Sequence, residues 1–82
     1  MPYIKKNLRH GLDTGLVPQS AGELNYILTR AALDYIKAHG QSYKVFNDVV
    51  GAFECAKHEL IRRLVNNYED TKIRENGDVY ES

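Results

Sequence analysis

The chain has 82 residues, enough for one small domain, and its eleven basic side chains balance eleven acidic ones. A net charge of zero provides no overall field that would draw the chain onto nucleic acid or an anionic membrane. The single cysteine, Cys55, excludes an internal disulfide framework and fits a reducing cytoplasm. No run approaches the roughly 18 apolar residues of a membrane span, and residues 1–12 lack the apolar core of a signal peptide. We therefore expect a cytoplasmic protein without a membrane segment.

The N-terminal part, residues 1–22, is predicted to be a short helix followed by a loop. Residues 4–12 favour a helix of about two turns. Residues 13–22 collect two glycines, a proline and a serine, a composition typical of a loop ahead of the main body.

The first long predicted helix spans residues 23–39. Its apolar residues recur at spacings of three and four, as in an amphipathic helix, and Gly40 stands where a C-terminal cap belongs. The apolar positions are Leu24, Ile27, Leu28, Ala31, Tyr35 and Ile36.

A second, longer helix is predicted over residues 42–75, which contain no proline, with Ser42 as its N-cap. Asn76 and Gly77 tolerate positive φ and would end it. The apolar stripe consists of Phe46, Val50, Phe53, Leu60, Leu64 and Tyr68, widened by Val49, Ile61 and Val65.

The acidic tail, residues 76–82, carries two apolar residues, Val79 and Tyr80. Either these residues dock in a groove of the same or a neighbouring protomer, or the tail is disordered.

The length of the second helix bears on the fold class. About 30 residues at 1.5 Å each span roughly 45 Å, whereas a compact domain of this size is about 30 Å across. Either Gly51 bends the helix or another protomer covers what the first helix leaves exposed, and we favour the second. The predicted fold is all-α: one domain with a short N-terminal helix and an antiparallel pair of long helices, completed by homo-oligomerisation.

Gly51 in the middle of the second helix predicts close packing, because a helical glycine costs up to about 1 kcal/mol relative to alanine. Asn47 and Glu54 lie four and three positions away on the same face and make a polar notch. Either a bulky neighbour such as Tyr26 or Tyr35 fills this notch, or a ligand approaches it.

The first long helix offers a comparable polar set: Asn25 and Thr29 are four apart, as are Tyr26 and Arg30. If this face meets the notch, amide, hydroxyl and carboxylate groups converge and could hydrogen-bond a polar ligand. A satisfied buried network and an exposed helix surface are the alternatives.

Arg62 and Arg63 are candidates for holding phosphate, because guanidinium groups match its oxygens bidentately. The alternative is a solvated face paired with nearby glutamates. Cys55, His58 and Glu54 have metal-like spacing, but they are too few to form a site, so we expect no metal and no cofactor. No arrangement of nucleophile, base or phosphate loop is recognisable, so we expect no enzyme.

Three segments suggest a family: the opening MPYIKK, the central GELNY and the closing ENGDVY. With them, the chain resembles a small family of uncharacterised proteins encoded by bacteriophages and bacteria. The resemblance implies no catalytic or binding residue. It implies a phage context, in which small helical oligomers include sponges that sequester nucleotide signals of bacterial immunity.

Two hypotheses of function follow. In the first, a non-enzymatic homo-oligomer sequesters a small nucleotide-derived anion between helices of adjacent protomers. In the second, the chain is an adaptor or inhibitor that engages a host or phage protein through its amphipathic helix and tail. DNA binding ranks third, because no helix-turn-helix signature or net basic charge is present. The residues of the first hypothesis are Asn25, Tyr26, Thr29, Arg30, Asn47, Glu54, Arg62 and Arg63, beside Gly51.

Overall fold

The structure, a computed structural model, describes residues 1–80 of the chain. Within them there are helices and loops but no strand, so the predicted all-α class is confirmed. The helices are α1 (Lys6–Asp13), α2 (Ala21–His39), α3 (Tyr43–Leu60) and α4 (Asn66–Asn76), with a π-helical segment (Ile61–Val65) between α3 and α4. The last two residues of the predicted 76–82 tail lie outside the described residues. No helix in residues 1–80 combines the length and apolar character needed to cross a membrane.

Helix α1 begins two residues later than the predicted segment 4–12 and ends at Asp13. Its C-terminal carbonyls are satisfied locally, because the Thr14 hydroxyl lies 3.0 Å from the His10 carbonyl oxygen and 3.1 Å from that of Gly11. At the other end, the Arg9 guanidinium donates from Nε and Nη2 to the Ile4 carbonyl oxygen, at 3.2 and 3.0 Å. This contact ties residues 1–5, which we call the N-terminal arm, to α1.

Helix α2 begins at Ala21, two residues before the predicted start at Glu23. The reason is a capping arrangement: Ser20 Oγ accepts from the Glu23 amide at 3.1 Å, and Glu23 Oε1 accepts from the Gln19 amide at 3.2 Å. At its other end Gly40 has φ +85° and donates its N–H to the Ile36 carbonyl oxygen at 2.8 Å. The predicted glycine C-cap is confirmed.

The second predicted helix is observed from Tyr43 to Asn76, but not as a uniform α-helix. Ser42 caps its start by accepting from the Val45 amide at 3.2 Å. Between Ile61 and Val65 the helix takes the π form, and the Asn66 amide donates to the Ile61 carbonyl five residues back. Gly77, with φ +88°, ends α4 and confirms the predicted stop.

The chain divides into two compact units, Met1–Val49 and a second that begins at Val50. In the first unit α1 packs against α2. The Tyr35 hydroxyl on α2 also donates to Asp48 Oδ2 on α3 at 2.9 Å. Leu12 and Val45, 5% and 7% exposed, are the buried apolar residues of this unit.

The second unit is helical from Val50 through the π segment to the end of α4. None of its described residues is buried; Ile61 and Thr71 are half-buried and the others are exposed. Its charged side chains pair along the helix at spacings of three and four, as between Arg62 and Glu59 or between Lys72 and Glu75.

Candidate functional site

A cleft of about 330 Å³ opens between the N-terminal arm, α1 and α2 in the first unit. The arm crosses α2 closely, because a Cβ added at Gly22 would lie 3.4 Å from the Met1 carbonyl oxygen. Two arginines, two tyrosines, a threonine and two apolar residues line the cleft: Pro2, Tyr3, Arg9, Tyr26, Thr29, Arg30 and Leu33. Three of the residues predicted from sequence thus share one cavity.

Arg9 and Tyr26 form one wall of this cleft. The guanidinium carbon of Arg9 lies 5.7 Å from the centre of the Tyr26 ring, within range of a cation–π interaction. Arg9 is held from behind by its bonds to the Ile4 carbonyl, which use two of its five N–H groups. The remaining N–H groups are available to an anion.

The hydroxyl of Tyr26 is fixed as well. It donates to Asp13 Oδ1 at 2.8 Å. This hydrogen bond, with smaller contributions from burial and from the negative charge of Asp13, raises the pKa of Tyr26 above 10.0. Tyr26 is therefore a neutral ring with a fixed orientation at physiological pH, suited to stacking rather than to proton transfer.

Arg30 and Thr29 also line the cleft and, like Tyr26, lie on α2. Arg30 donates to Asp34 Oδ1 at 2.9 Å, in an ion pair whose side chains are both largely exposed. Thr29 donates to Asn25 Oδ1 at 3.1 Å. Because both partners lie on α2, the two side chains are positioned by the helix itself.

A second cleft, of about 560 Å³, lies in the same unit and also includes Arg30. Its apolar residues are Leu12, Ile27 and Ala31, and its acidic residues are Asp13 and Asp34. Arg30 is thus shared by two cavities, one lined mainly by aromatic and basic groups and the other by apolar and acidic groups.

The predicted site residues on the second long helix are engaged along that helix. Glu54 forms an ion pair with Lys57 at 3.5 Å, and its carboxylate lies 3.2 Å from His58 Nε2. Arg62 pairs with Glu59 at 3.0 Å, while Arg63 is exposed and its carbonyl accepts from Asn67.

Asn47 belongs to the first unit and is exposed. Within Met1–Val49, no hydrogen bond joins Asn47 to Asn25 or Thr29, which bond to each other instead. The structure thus brings Tyr26, Thr29 and Arg30 together and leaves Asn47 apart from them.

Close packing at Gly51 is not observed in the single chain. Apart from its two chain neighbours and the nearby backbone of its own helix, no atom of the described residues lies within 4 Å of a Cβ built at this position. The hydroxyls of the two tyrosines proposed to fill the notch, Tyr26 and Tyr35, bond to Asp13 and Asp48. Close packing of a neighbour on Gly51 therefore stays a prediction.

Sequence reasoning missed Tyr3 and Arg9, the cleft residues contributed by the N-terminal segment. The aromatic and basic residues of MPYIKKNLRH were the available signal. Their position over α2 depends on tertiary contacts of the arm, which periodicity does not report.

No group of three or more His, Cys, Asp or Glu side chains within residues 1–80 is placed to hold a metal ion. Cys55 is a free, exposed thiol.

The fold and the cleft define a small all-helical domain with a basic and aromatic groove. The chain belongs to the family described as Domain of unknown function (DUF6899), whose model matches residues 1–79. The match includes the MPYI and GELNY segments and most of ENGDVY, so the predicted membership of an uncharacterised family is confirmed. No curated protein and no solved structure matches the chain.

Proposed function

We propose that this protein is a non-enzymatic binding protein that takes a small anion carrying an aromatic ring, such as a nucleotide, in the cleft between the N-terminal arm, α1 and α2. One observation carries the proposal: Arg9 and Arg30 share a single cavity with the rings of Tyr3 and Tyr26. Its volume of about 330 Å³ lies at the lower end of the range for small-molecule sites.

Each residue type has a defined task in this proposal. The guanidinium groups of Arg9 and Arg30 bind phosphate oxygens through charge-assisted hydrogen bonds. The ring of Tyr26, or of the exposed Tyr3, stacks on a base. Thr29 is placed to hydrogen-bond a polar edge of the ligand. Leu33 and Pro2 supply apolar surface that excludes water.

The two arginines differ in how strongly they attract an anion. Arg9 is bound to a neutral carbonyl oxygen and keeps its full charge for the ligand. Arg30 is already paired with Asp34, so a ligand phosphate competes with that carboxylate. We therefore expect Arg9 to contribute more to affinity than Arg30.

Homo-oligomerisation is part of the proposal. A second protomer would cover the apolar side chains that the single chain exposes. We also propose that the two long predicted helices of each chain, residues 23–39 and 42–75, form an antiparallel pair. Asn47, Glu54, Arg62 and Arg63 would then contact the ligand from an adjacent protomer. The biological role that we propose is sequestration of a nucleotide-derived immune signal in the host cytoplasm.

Isothermal titration calorimetry with linear and cyclic nucleotides tests the binding proposal. We expect one class of nucleotide to bind, and Arg9→Gln to weaken binding by at least tenfold, the effect of losing about 1.4 kcal/mol. Arg74→Gln is the matched control, because Arg74 is an exposed arginine of α4 that bonds to Thr71. Absence of binding by every nucleotide at millimolar concentration, with helix content intact, would reject the proposal.

A second candidate function is that of a protein-interaction module. The observation in its favour is the exposure of Val79 and Tyr80 beyond the end of α4, at 90% and 94%. Such apolar side chains suit insertion into a groove of a host or phage protein. If deletion of residues 78–82 leaves the capture of a partner unchanged, the tail has no part in recognition.

A further inference from the structure

Five apolar side chains of the second unit form one exposed stripe, which we call the unit 2 stripe. Each is between 41% and 63% exposed. Their positions differ by three, seven, four and four residues, all close to whole turns of a helix. The residues are Val50, Phe53, Leu60, Leu64 and Tyr68.

The π segment keeps the end of this stripe in line. In a plain α-helix, residues spaced by four drift about 40° per step around the axis, because each residue turns by about 100°. A π turn holds more residues, since its hydrogen bonds span five positions. The turn at Ile61–Val65 therefore offsets the drift from Leu60 to Tyr68.

The described residues of the second unit form no apolar core that would stabilise it. None of its described residues is buried, in contrast to Leu12 and Val45 of the first unit. A helix in water gains most of its stability from packing of its apolar face rather than from helix propensity. The unit 2 stripe must therefore be covered for the unit to be stable.

We infer that the occupant of the unit 2 stripe is the same stripe of a second copy of this chain. The first argument is charge: residues 50–76 carry five basic and five acidic side chains. Several of these pair along the helix, as Glu54 does with Lys57. A neutral helix of this kind is not repelled by its own copy, whereas a strongly charged partner would gain no attraction from it.

The second argument is area. From their exposed fractions, the stripe residues present on the order of 500 Å² per chain, and the neighbouring Val65, 43% exposed, adds to this. Two copies together then bury roughly 1,100 Å², close to the lower limit of specific, stable interfaces. A second helix with a stripe of equal length covers this surface fully, while a small ligand or a single loop would cover only part of it.

Sedimentation equilibrium of the full chain tests this inference. We expect concentration-dependent association, and we expect Leu64→Glu to raise the dissociation constant by at least thirtyfold. The matched control is Ile73→Glu, because Ile73 is 42% exposed but lies five residues beyond Tyr68, about 140° around the helix. It should leave the association unchanged.

A second measurement uses the native thiol. Cys55 is exposed and lies two residues from Phe53, so a nitroxide attached to it points away from the stripe. Pulsed electron paramagnetic resonance should give a defined distance between two labels in the dimer, and Leu64→Glu should abolish it. A chain that stays helical and monomeric at all concentrations would overturn the inference. Equal effects of Leu64→Glu and Ile73→Glu on the dissociation constant would also overturn the inference.

This inference rests on the homo-oligomer in the proposed function and not on its ligand. The two can fail separately: if no nucleotide binds, the sedimentation result is unaffected. Conversely, Arg9→Gln should weaken nucleotide binding and leave association intact. A Leu64→Glu variant that stays dimeric would refute the stripe as the interface even if nucleotide binding is found.

Discussion

Replacing Gly51 by alanine should stabilise the protein. Gly51 is inside α3 and its φ is not positive. Beyond its chain neighbours and the nearby helix backbone, a Cβ built there would meet no atom of residues 1–80 within 4 Å. Alanine therefore adds no clash and no backbone strain. It also reduces the conformational freedom lost on folding, which is the main cost of a helical glycine.

The expected gain is about 1 kcal/mol, the difference between glycine and alanine in a helix interior. Contacts with the rest of the described chain do not change this value, since none of its side chains lies within 4 Å of the new methyl group. The unit 2 stripe should not change it either, because Gly51 lies two residues before Phe53, about 200° around the helix. The gain should therefore appear in the folded protein whether it is monomeric or paired through that stripe.

The assay is urea denaturation followed by circular dichroism at 222 nm, at a fixed protomer concentration because association shifts apparent stability. Gly40→Ala is the control. That glycine also has free space around it, but its φ is +85°, so alanine should cost roughly 1 to 3 kcal/mol. A loss of stability or of association in Gly51→Ala would refute the reasoning and show that a partner approaches the backbone at this glycine.

Three further predictions concern single contacts in the first unit. Ser20→Ala removes the cap of α2 and should lower the free energy of unfolding by about 1 kcal/mol, measured in urea. Leu12→Ala truncates one of two buried side chains and should cost about 2 to 3 kcal/mol in the same assay. Tyr35→Phe should lower the thermal midpoint. The hydrogen bond between Tyr35 and Asp48, aided by Lys44, holds the pKa of the carboxyl below 3.8, and the same bond raises the pKa of Tyr35 above 10.0. The difference in thermal midpoint between Tyr35→Phe and the wild-type protein should be largest at neutral pH. It should shrink as pH falls below about 4 or rises above about 10. A midpoint difference that stays constant across this pH range would show that it does not arise from the hydrogen bond between Tyr35 and Asp48.

The helix ends can be predicted from the sequence because their causes are local. Gly40 and Gly77 adopt the positive φ that favours glycine, and Ser42 uses its own hydroxyl to cap α3. Each feature depends on one residue and its neighbours. Composition and spacing are sufficient to find such positions.

The start of α2 and the π segment cannot be predicted from the sequence in this way. The apolar pattern begins at residue 23, whereas Ser20 starts the helix earlier through a bond to the Glu23 amide. The π segment leaves the apolar spacing nearly unchanged and has no residue signature of its own. Periodicity alone therefore predicts an unbroken α-helix there.

Three residues of the candidate site were predicted from sequence but the cleft itself was not, because the polar face of the first long helix was expected to meet the notch of Asn47 and Glu54. Tyr26, Thr29 and Arg30 were selected because they share one face of a helix, and all three line the cavity. Tyr3 and Arg9 were missed because their place depends on how the N-terminal arm folds back over α2. Such contacts between distant segments are a property of tertiary packing and leave no local pattern.

The π segment gives this helix an unusual tolerance for changes in length. A π turn accommodates one residue more than an α turn, so deleting one residue within Ile61–Val65 can restore a plain α-helix without breaking the chain's hydrogen bonding. The deletion would leave the later side chains of α4 facing nearly the same direction relative to α3, because the π turn already absorbs the extra residue. Family members that are one residue shorter at this point would thus present the same face of the C-terminal helix, with no other substitution required.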